Sequence, residues 1–417
     1  MVPSGWKKGL VSDLADTVMG YAFKSSDFVK KGIPLVRMGN LYQNQFQLDR
    51  SPIYLPDDFA TEYKRFLLQS GDLVMSMTGT MGKRDYGFAV EIPENTQDCL
   101  LNQRVLKIEP RNSDAKGFVL NVLKSEIFLS KLYSLPGGTK QANLSATQIR
   151  EISVLIPPLP EQQKIAKILS TWDKAISTTE RLIENSIQQK KALMQQLLTS
   201  KKRLLDESGQ RFEGEWEDME LGDVCSRVME KNNGQSTNVV TISAQQGLIR
   251  QEEFFKKSVA SELLDNYFVL RKGQFAYNKS YSNGYPMGAI KRLNRYDDGV
   301  VTTLYICFEI KDHSETDTDF LEQYFDSGLL NRGLTQVAAE GGRAHGLLNV
   351  KPSDFMELKF KLPTYSEQQK IATVLTNADR EIKLLEQQLA DLQQEKKALM
   401  QVLLTGKRRV VVDGEVA

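Results

Sequence analysis

The sequence is poor in the residues that disulfide frameworks and most metal sites require. Its 417 residues include three cysteines, Cys99, Cys225 and Cys307, and two histidines, His313 and His345. An odd number of isolated cysteines argues against a disulfide framework or a thiolate zinc site. Neither histidine lies in a metal-binding or acid–base motif, so catalysis by histidine is not expected.

Long apolar runs and an excess of charge of one sign are also missing. The first residues, MVPSGWKK, do not resemble a signal peptide, and no apolar run approaches the length of a bilayer span, so we expect a cytoplasmic protein. The 54 basic and 53 acidic side chains exclude a uniformly basic protein that coats nucleic acid. With 41% hydrophobic residues the chain can form buried cores, and its length predicts about two to four domains.

What the sequence does contain is an internal repeat. The hexapeptide EQQKIA begins at Glu161 and again at Glu367, and KKALMQ begins at Lys190 and again at Lys396. Both pairs are separated by 206 residues, and LLT follows each second hexapeptide in the same register. Two identical hexapeptides without an insertion between them indicate a tandem duplication.

The remainder of each half matches more loosely. Trp6 and Trp216 each precede an Asp-Leu or Asp-Val pair, and a similar strand-like segment follows Gly71 and Gly273. These pairs are separated by 202 to 210 residues, so insertions and deletions have accumulated between them. The pattern indicates one shared structural element and two diverged heads.

The shared element is helical by its periodicity. Apolar residues recur at alternating steps of four and three over about five heptads, with no proline or glycine inside. We predict two helices of 39 residues, Glu161–Thr199 and Glu367–Thr405, each about 58 Å long. An antiparallel pair, with the heads at opposite ends, is favoured over a helical bundle because no other segment is long enough to cover them. Lys190 and Lys396 occupy equivalent core positions, where they either fix the register or lie at a solvated helix end.

The repeat divides the chain into four parts. Residues 1–158 and 206–362 are expected to form two mixed α/β domains, and residues 159–205 and 363–417 the two helices with their tails. Strands are predicted at 33–38, 73–77, 88–92, 104–108, 239–242 and 300–310, and shorter helices at 116–132 and 319–330. The second head carries 25 acidic and 18 basic side chains, so any binding of nucleic acid there must come from local clusters.

Each head contains two polar, glycine-rich loops that offer N–H groups and cations to phosphates and polar side chains to base edges. The residues predicted to contact DNA are Ser76, Thr78, Thr80, Lys83, Arg84, Lys140 and Gln141 in the first head, and Asn278, Lys279, Tyr281, Ser282, Arg343 and His345 in the second. Ordinary surface turns are the alternative interpretation. The occurrence of such loops at matching places in two diverged heads favours DNA contact.

Catalytic motifs are not matched. The segment IPPL at 156–159 lacks the amide or carboxylate and the aromatic residue of the methyltransferase tetrapeptide. Gly82 and Lys83 lack the first glycine and the hydroxyl residue of a phosphate-binding loop. The sequence therefore predicts a chain that is not itself an enzyme.

Two diverged heads, each followed by a near-identical helix that opens with EQQKIA, resemble the specificity subunit of type I restriction–modification systems. The resemblance covers essentially the whole chain. It implies an α/β fold with two target-recognition domains, separated by a pair of long antiparallel coiled-coil helices in a pseudo-two-fold tandem repeat. Each domain would read one half of a bipartite, asymmetric DNA site, and the helices would set the spacing and dock partners.

The same resemblance implies the partners and cofactors. The partners are double-stranded DNA, two methyltransferase subunits that bring S-adenosylmethionine, and restriction subunits that bring ATP and Mg; the chain itself would bind no cofactor and no metal. The helix residues assigned to partner docking and spacing are Gln162, Gln163, Lys164, Ile165, Trp172, Gln368, Gln369, Lys370, Ile371 and Leu375. Two alternatives remain open: a coiled-coil adaptor without DNA specificity, and a DNA methyltransferase or nuclease with unrecognised motifs.

Overall fold

The structure is a computed structural model that describes residues 2–136, 140–255, 264–281, 284–338 and 348–412. The chain forms two compact units. The first contains Met1–Glu180 and Gln388–Ala417, and the second contains Arg181–Gln387. Each unit therefore consists of one head together with segments of both long helices.

The first head is a mixed α/β domain. Its strands are β1 (Lys7–Leu10), β2 (Ala15–Met19), β3 (Ile33–Val36), β4 (Tyr54–Leu55), β5 (Leu67–Leu68), β6 (Leu73–Ser76), β7 (Thr78–Thr80), β8 (Ala89–Glu91), β9 (Cys99–Leu101), β10 (Val105–Pro110), β11 (Gln141–Asn143) and β12 (Ser153–Ile156). Its helices are α1 (Val11–Leu14), α2 (Phe59–Glu62), α3 (Lys116–Lys124), α4 (Glu126–Tyr133) and α5 (Ala146–Arg150).

Two four-stranded sheets organise this head. One is antiparallel, with strand order β2-β10-β6-β8, and the other has the order β4-β3-β9-β5, in which β3 runs parallel to β9. Strand β1 pairs with β12, and β7 pairs with β11. Strand β6 is a central strand of the first sheet, and its last residue, Ser76, leads into the first glycine-rich loop.

The second head repeats the antiparallel four-stranded sheet of the first. Its strands are β13 (Glu217–Glu220), β14 (Cys225–Arg227), β15 (Val240–Ser243), β16 (Gly247–Arg250), β17 (Phe268–Arg271), β18 (Phe275–Asn278), β19 (Ala289–Arg292), β20 (Asp298–Val301), β21 (Ile306–Ile310) and β22 (Lys359–Leu362). Its helices are α7 (Leu221–Val224), α8 (Gln251–Phe255), α9 (Thr318–Asp326), α10 (Asn331–Val337) and α11 (Pro352–Met356). The sheet order β14-β21-β18-β19 matches β2-β10-β6-β8 strand for strand. Its other described strands form the two-stranded pairs β13-β22, β15-β16 and β17-β20.

The long helices have the predicted length. In the numbering by chain order the first is α6 (Leu159–Leu197) and the second is α12 (Tyr365–Leu403), and each has 39 residues. Both begin and end two residues earlier than predicted. Pro160 therefore lies inside the first turn of α6, where its missing N–H would have no helical partner in any case.

The helix segments run antiparallel within each unit, as predicted. In the first unit, Ile165 and Leu169 near the start of α6 share a core with Leu403 and Leu404 at the end of α12. In the second unit, Ile371 and Leu375 share a core with Leu197 and Leu198. The start of one helix thus lies against the end of the other in both units.

The two polar core positions hold matched ion pairs. Lys190 Nζ lies 2.6 Å from Asp379 Oδ1, and Lys396 Nζ lies 2.5 Å from Asp173 Oδ1. Both lysine side chains are largely buried, with 14% and 13% of their surface exposed. These reciprocal contacts support the interpretation that the lysines help to fix the helix register.

Two predicted elements are each interrupted by a turn. The helix predicted at 116–132 breaks at Ser125, whose extended backbone and side chain cap the N-terminus of α4. The strand predicted at 300–310 is two strands, β20 and β21, joined by a turn in which Tyr305 N donates to Thr302 O. Apolar periodicity continued through both turns, so the sequence pattern alone did not mark them.

The three cysteines are buried thiols. Cys99 lies in β9 of the first head, and Cys225 and Cys307 lie in β14 and β21 of the second. Burial raises the pKa of each thiol to about 12. They are therefore protonated near neutral pH and act as small packing residues.

Candidate DNA interface and helix junctions

The two glycine-rich loops of the first head meet in one surface. Strand β7 pairs with β11, so that Thr80 lies opposite Gln141. Met81 N donates to Lys140 O at 3.2 Å, which extends the contact into the loop. Two segments separated by about sixty residues are thereby joined at the end of β6.

Glycine is required at position 79 because the backbone there passes close to the side chains of Asp85 and Tyr86. A Cβ atom at Gly79 would lie 2.3 Å from Asp85 Oδ1 and 2.6 Å from the Tyr86 ring. Asp85 Oδ1 also accepts a hydrogen bond from Thr80 N at 2.7 Å. Burial alone would raise the pKa of Asp85, but hydrogen bonds from Thr80 outweigh it, so the pKa is lowered and the carboxylate stays charged.

Burial divides the residues predicted to contact DNA in the first head. Ser76 is 1% exposed and accepts a hydrogen bond from Phe88 N, and Thr78 is 3% exposed and donates to Asn143 Oδ1 at 3.3 Å. These two hydroxyls are used inside the head. The predicted residues that face solvent are Thr80, Lys83, Arg84, Lys140 and Gln141.

Arg84 is the most constrained cation on this surface. Its guanidinium lies 2.8 Å from Glu126 Oε1 and 5.1 Å from the centre of the Tyr133 ring. Both partners of the ion pair are at least half exposed, so the pair contributes little to stability. The stacking orients the guanidinium and leaves N–H groups available to an anion.

The second head places its predicted residues differently. Asn278 ends β18 and accepts a hydrogen bond from Ser280 N. Lys279 Nζ lies 3.4 Å from Val350 O, and its own carbonyl accepts from Leu348 N. Tyr281 is 64% exposed. Ser282, Arg343 and His345, which the sequence also assigned to DNA contact, lie outside the described residues.

The repeated helix motif serves two faces. Gln162, Ile165, Gln368, Ile371 and Leu375 are buried against their own heads. Gln162 Nε2 donates to Pro157 O, and Gln368 Nε2 donates to Pro363 O, both at 2.8 Å. The buried residues of the motif thus hold the start of each helix against the segment that follows the preceding strand.

The other half of the motif faces outward. Gln163 and Gln369 are exposed, and Lys164, Trp172 and Lys370 are partly buried. Gln163 and Gln369 are related by the 206-residue offset, as are Lys164 and Lys370, so the two helices present matching polar positions next to the buried ones. Trp172 lies nine residues, about two and a half turns, after Gln163 and is therefore on the opposite side of α6.

A buried charged cluster at each helix start was not predicted from the sequence. In the first junction cluster, Glu161 accepts hydrogen bonds from Trp6 Nε1 at 3.1 Å and from Arg409 Nε at 2.9 Å and Nη2 at 2.5 Å. Glu161 is 5% exposed. The arginine that follows the end of α12 is thereby bound to the start of α6.

The second junction cluster repeats the first. Glu367 accepts hydrogen bonds from Trp216 Nε1 at 3.2 Å and from Arg203 Nε at 2.6 Å and Nη2 at 2.7 Å. Glu367 is 1% exposed. The 206-residue offset that relates Glu161 to Glu367 also relates Arg203 to Arg409, and this was the available signal in the sequence.

Within the described ranges, no group of three or more histidine, cysteine, aspartate or glutamate side chains is arranged to hold a metal ion. Over those ranges, too, no helix combines the length and the apolar character needed to cross a bilayer.

The fold and these junctions define a duplicated protein in which two α/β heads are attached to paired long helices. The profile of the family described as type I restriction modification DNA specificity domain matches residues 3–189 and 213–394. The chain belongs to this family. The resemblance stated from the repeat and its helix motif is thereby confirmed, and the family is defined by DNA specificity and not by a catalytic domain.

Individual relatives agree with this assignment. The chain is 22% identical over 432 residues to the putative type I restriction enzyme MjaX specificity subunit of Methanocaldococcus jannaschii, which covers 98% of this chain and 95% of that protein. It is 28% identical over 206 residues to the MjaVIII specificity subunit of the same organism. That match covers 49% of this chain and spans about half, 48%, of the relative's length.

A solved structure shares the fold. The S subunit of a type I restriction–modification system from M. genitalium aligns over 97% of this chain and 96% of its own length, with a TM-score of 0.57 and 14% identity. The predicted fold class, two mixed α/β domains with long antiparallel helices, is confirmed.

Proposed function

We propose that this chain is the non-catalytic DNA-specificity subunit of a type I restriction–modification assembly in the cytoplasm. The proposal rests on the contrast between two parts of each unit, the helix junction and the loop surface of the head. The helix junctions use the same tryptophan, glutamate and arginine side chains in the two halves, whereas the described loop surfaces of the heads differ in charge and in contacts. A protein that selects DNA sites for shared partners requires that combination.

Each head would read one half of a bipartite site in double-stranded DNA. In the first head, Thr80 and Gln141 offer hydrogen bonds to base edges, while Lys83, Arg84 and Lys140 offer positive charge to phosphates or guanines. Ser76 and Thr78 would shape this surface from inside. In the second head the corresponding set is Asn278, Lys279, Tyr281, Ser282, Arg343 and His345.

The outward half of the helix motif would dock partners that carry the chemistry. Gln163 and Gln369, and likewise Lys164 and Lys370, are equivalent positions on the two helices and suit two copies of one partner. Trp172, whose equivalent in the second helix is Ala378, would add a contact on the first helix alone. Those partners would be two methyltransferase subunits that supply S-adenosylmethionine, and restriction subunits that supply ATP and Mg would join the same assembly. This chain would contribute site selection alone.

The helices would also set the distance between the two half-sites. Each spans about 58 Å, longer than the ~34–36 Å of one DNA turn. Inserting residues near Thr199–Lys201 is expected to change the number of unread base pairs and to leave the bases read unchanged. An unchanged spacer with altered half-sites would contradict this role.

Mapping of methylated adenines in cells tests the function directly. Cells that contain the partner subunits with this chain should methylate one bipartite motif, and cells without this chain should not. An adaptor without DNA specificity would give no motif with all partners present. Binding of S-adenosylmethionine by the purified chain would instead favour an enzyme.

Single loop variants separate base reading from phosphate contact. Lys83→Ala or Arg84→Ala is expected to alter only the half-site that the first head reads. A phosphate role would weaken methylation about equally at all sites and flatten its dependence on salt. Tyr281→Ala in the second head is the matched variant, and it should leave the first half-site unchanged.

A further inference from the structure

A second pair of loops, not included among the predicted DNA contacts, occupies equivalent places in the two heads. The first follows β3, which pairs in parallel with β9 through Leu35 and Leu100. The second follows β15. Val239, the residue before β15, forms a parallel bridge with Val300 in β20. We call them the glutamine loops, residues 37–50 and 244–246, because their exposed residues include Gln43, Gln45, Gln47, Gln245 and Gln246.

Both glutamine loops lie at the strand end from which the glycine-rich loops depart. In the first head, β9 leads into β10, whose first residue Val105 pairs with Ser76 at the end of β6. In the second head, β20 leads into β21, whose first residue Ile306 pairs with Tyr277 beside Asn278. The glutamine loops therefore extend the surface already proposed to face DNA.

The first glutamine loop is held rigidly. Asn40 Nδ2 donates to Gln47 O at 2.7 Å and to Arg50 O at 3.1 Å, and Asn40 Oδ1 accepts from Arg37 N. Asn44 Oδ1 accepts from Ala89 N, which ties the loop to β8. A loop that is ordered before binding loses little conformational entropy when it meets a ligand.

The loop tip is strained and exposed. Gln43 and Asn44 are consecutive residues with φ of 54° and 60°, in the left-handed region that residues other than glycine rarely adopt. The Gln43 side chain at this tip is exposed and has no hydrogen-bond partner among the described residues. Gln45 Oε1 accepts from Gln47 Nε2, so these two amides are paired and oriented.

An arginine stacks on a tyrosine at the end of the first glutamine loop and at the end of β16, the strand that follows the second. The Arg50 guanidinium lies 4.4 Å from the centre of the Tyr42 ring, and the Arg250 guanidinium lies 5.3 Å from the Tyr296 ring. Both arginines are exposed. Stacking fixes the direction of the Arg50 guanidinium, which suits contact with a phosphate beside the bases that the first loop would meet. Arg250 pairs with Val240 at the end of the β15–β16 hairpin opposite residues 244–246, so it does not lie beside the second loop.

We propose that the glutamine loops are a second base-reading element in each head and that their amides recognise adenine in the major groove. A primary amide can donate to adenine N7 and accept from adenine N6, which is the bidentate pairing of Gln and Asn with this base. Arg50 holds a phosphate that flanks the first half-site. The proposal rests on the DNA-specificity function and adds residues that determine which base pairs are read.

The test is adenine-methylation mapping with the full chain and its methyltransferase partners. Gln43→Ala/Gln45→Ala is expected to relax the first half-site at one or two base pairs, with methylation of the original motif falling on the order of tenfold. Gln245→Ala/Gln246→Ala is expected to do the same to the second half-site only. Arg50→Ala should lower methylation by a similar factor at all sites without changing the bases read.

Gln69→Ala is the matched control, because Gln69 is exposed before the start of β6, away from Ser76, and should change nothing. In each glutamine variant, the unaltered half-site shows that the complex has assembled and folded. Unchanged half-sites, or a uniform loss at all sites, would overturn the proposal. Absence of any bipartite motif with the unmodified chain would instead overturn the proposed function.

Discussion

The helix junctions and the loop surfaces of the two heads have diverged to different extents. In both junction clusters the tryptophan Nε1 and the arginine Nε and Nη2 donate to the glutamate carboxylate, at similar distances. The loop surfaces do not correspond in this way. Lys83 and Arg84 face solvent in the first head, whereas in the second Lys279 is partly buried beside a backbone carbonyl and Tyr281 is 64% exposed.

The physical reason for this difference is burial. Removing one partner of a buried ion pair leaves an uncompensated charge, so single changes at a junction cluster are strongly unfavourable. Exposed loop residues contribute little to stability and can be exchanged freely. A scaffold with fixed junctions and tolerant loops can change what it recognises and still hold its helices in register.

The largest expected effect comes from breaking a junction cluster. Glu367→Ala should lower the free energy of unfolding of the second unit by about 3–5 kcal/mol, because Arg203 and Trp216 lose their buried acceptor. Glu161→Ala should cost less, about 2–3 kcal/mol, since 41% of the Arg409 side chain is exposed against 17% of Arg203. Hydrogen exchange of the full chain reports each unit separately, with exposed Glu180→Ala as control. Equal losses, or a larger loss for Glu161→Ala, would contradict this ranking.

The residue three positions beyond the end of each long helix gives a smaller effect and a sharper contrast. Gly406 and Ser200 both have positive φ, 66° and 56°, but a Cβ at Gly406 would lie 2.3 Å from Pro3 Cγ. Gly406→Ser should therefore destabilise the first unit by about 1–3 kcal/mol. Ser200→Gly should change the second unit by no more than about 1 kcal/mol. Thermal unfolding measures both, and a neutral Gly406→Ser would show that Pro3 can move aside.

The two interhelix ion pairs should be worth about the same. Double-mutant cycles with Lys190→Met and Asp379→Asn, and with Lys396→Met and Asp173→Asn, are expected to give coupling energies of about 0.5–1 kcal/mol each. The aspartates are about half exposed, which limits the strength of both pairs. A large difference between the cycles would mean that the register is set mainly in one unit.

The smallest stability effect is expected in the loop surface. Arg84→Ala should change the free energy of unfolding by no more than about 0.5 kcal/mol, because its ion pair with Glu126 is exposed. Chemical denaturation of the variant and the unmodified chain makes the comparison. A loss of several kcal/mol would show that the loop supports the fold and is not free to vary.

Much of the architecture was predictable from the sequence. The 206-residue repeat predicted the duplication, and the heptad pattern predicted two helices of 39 residues to within two residues at each end. The loops at 76–84 and 136–143 were recognised from composition, but their pairing through Thr80 and Gln141 was not. That contact joins distant segments and depends on how β7 and β11 are placed by the whole head.

The sequence by itself determined the repeat, the helical periodicity and the family, because these depend on local spacing and on identity between the two halves. Only the tertiary structure decided which residues of the helix motif are buried. Gln162 and Gln368 are adjacent in sequence to Gln163 and Gln369, yet the first pair lies against the heads and the second faces solvent. Periodicity defines the faces of a helix, but the partner that each face meets is set by contacts between residues more than a hundred positions apart, such as Trp6 with Glu161.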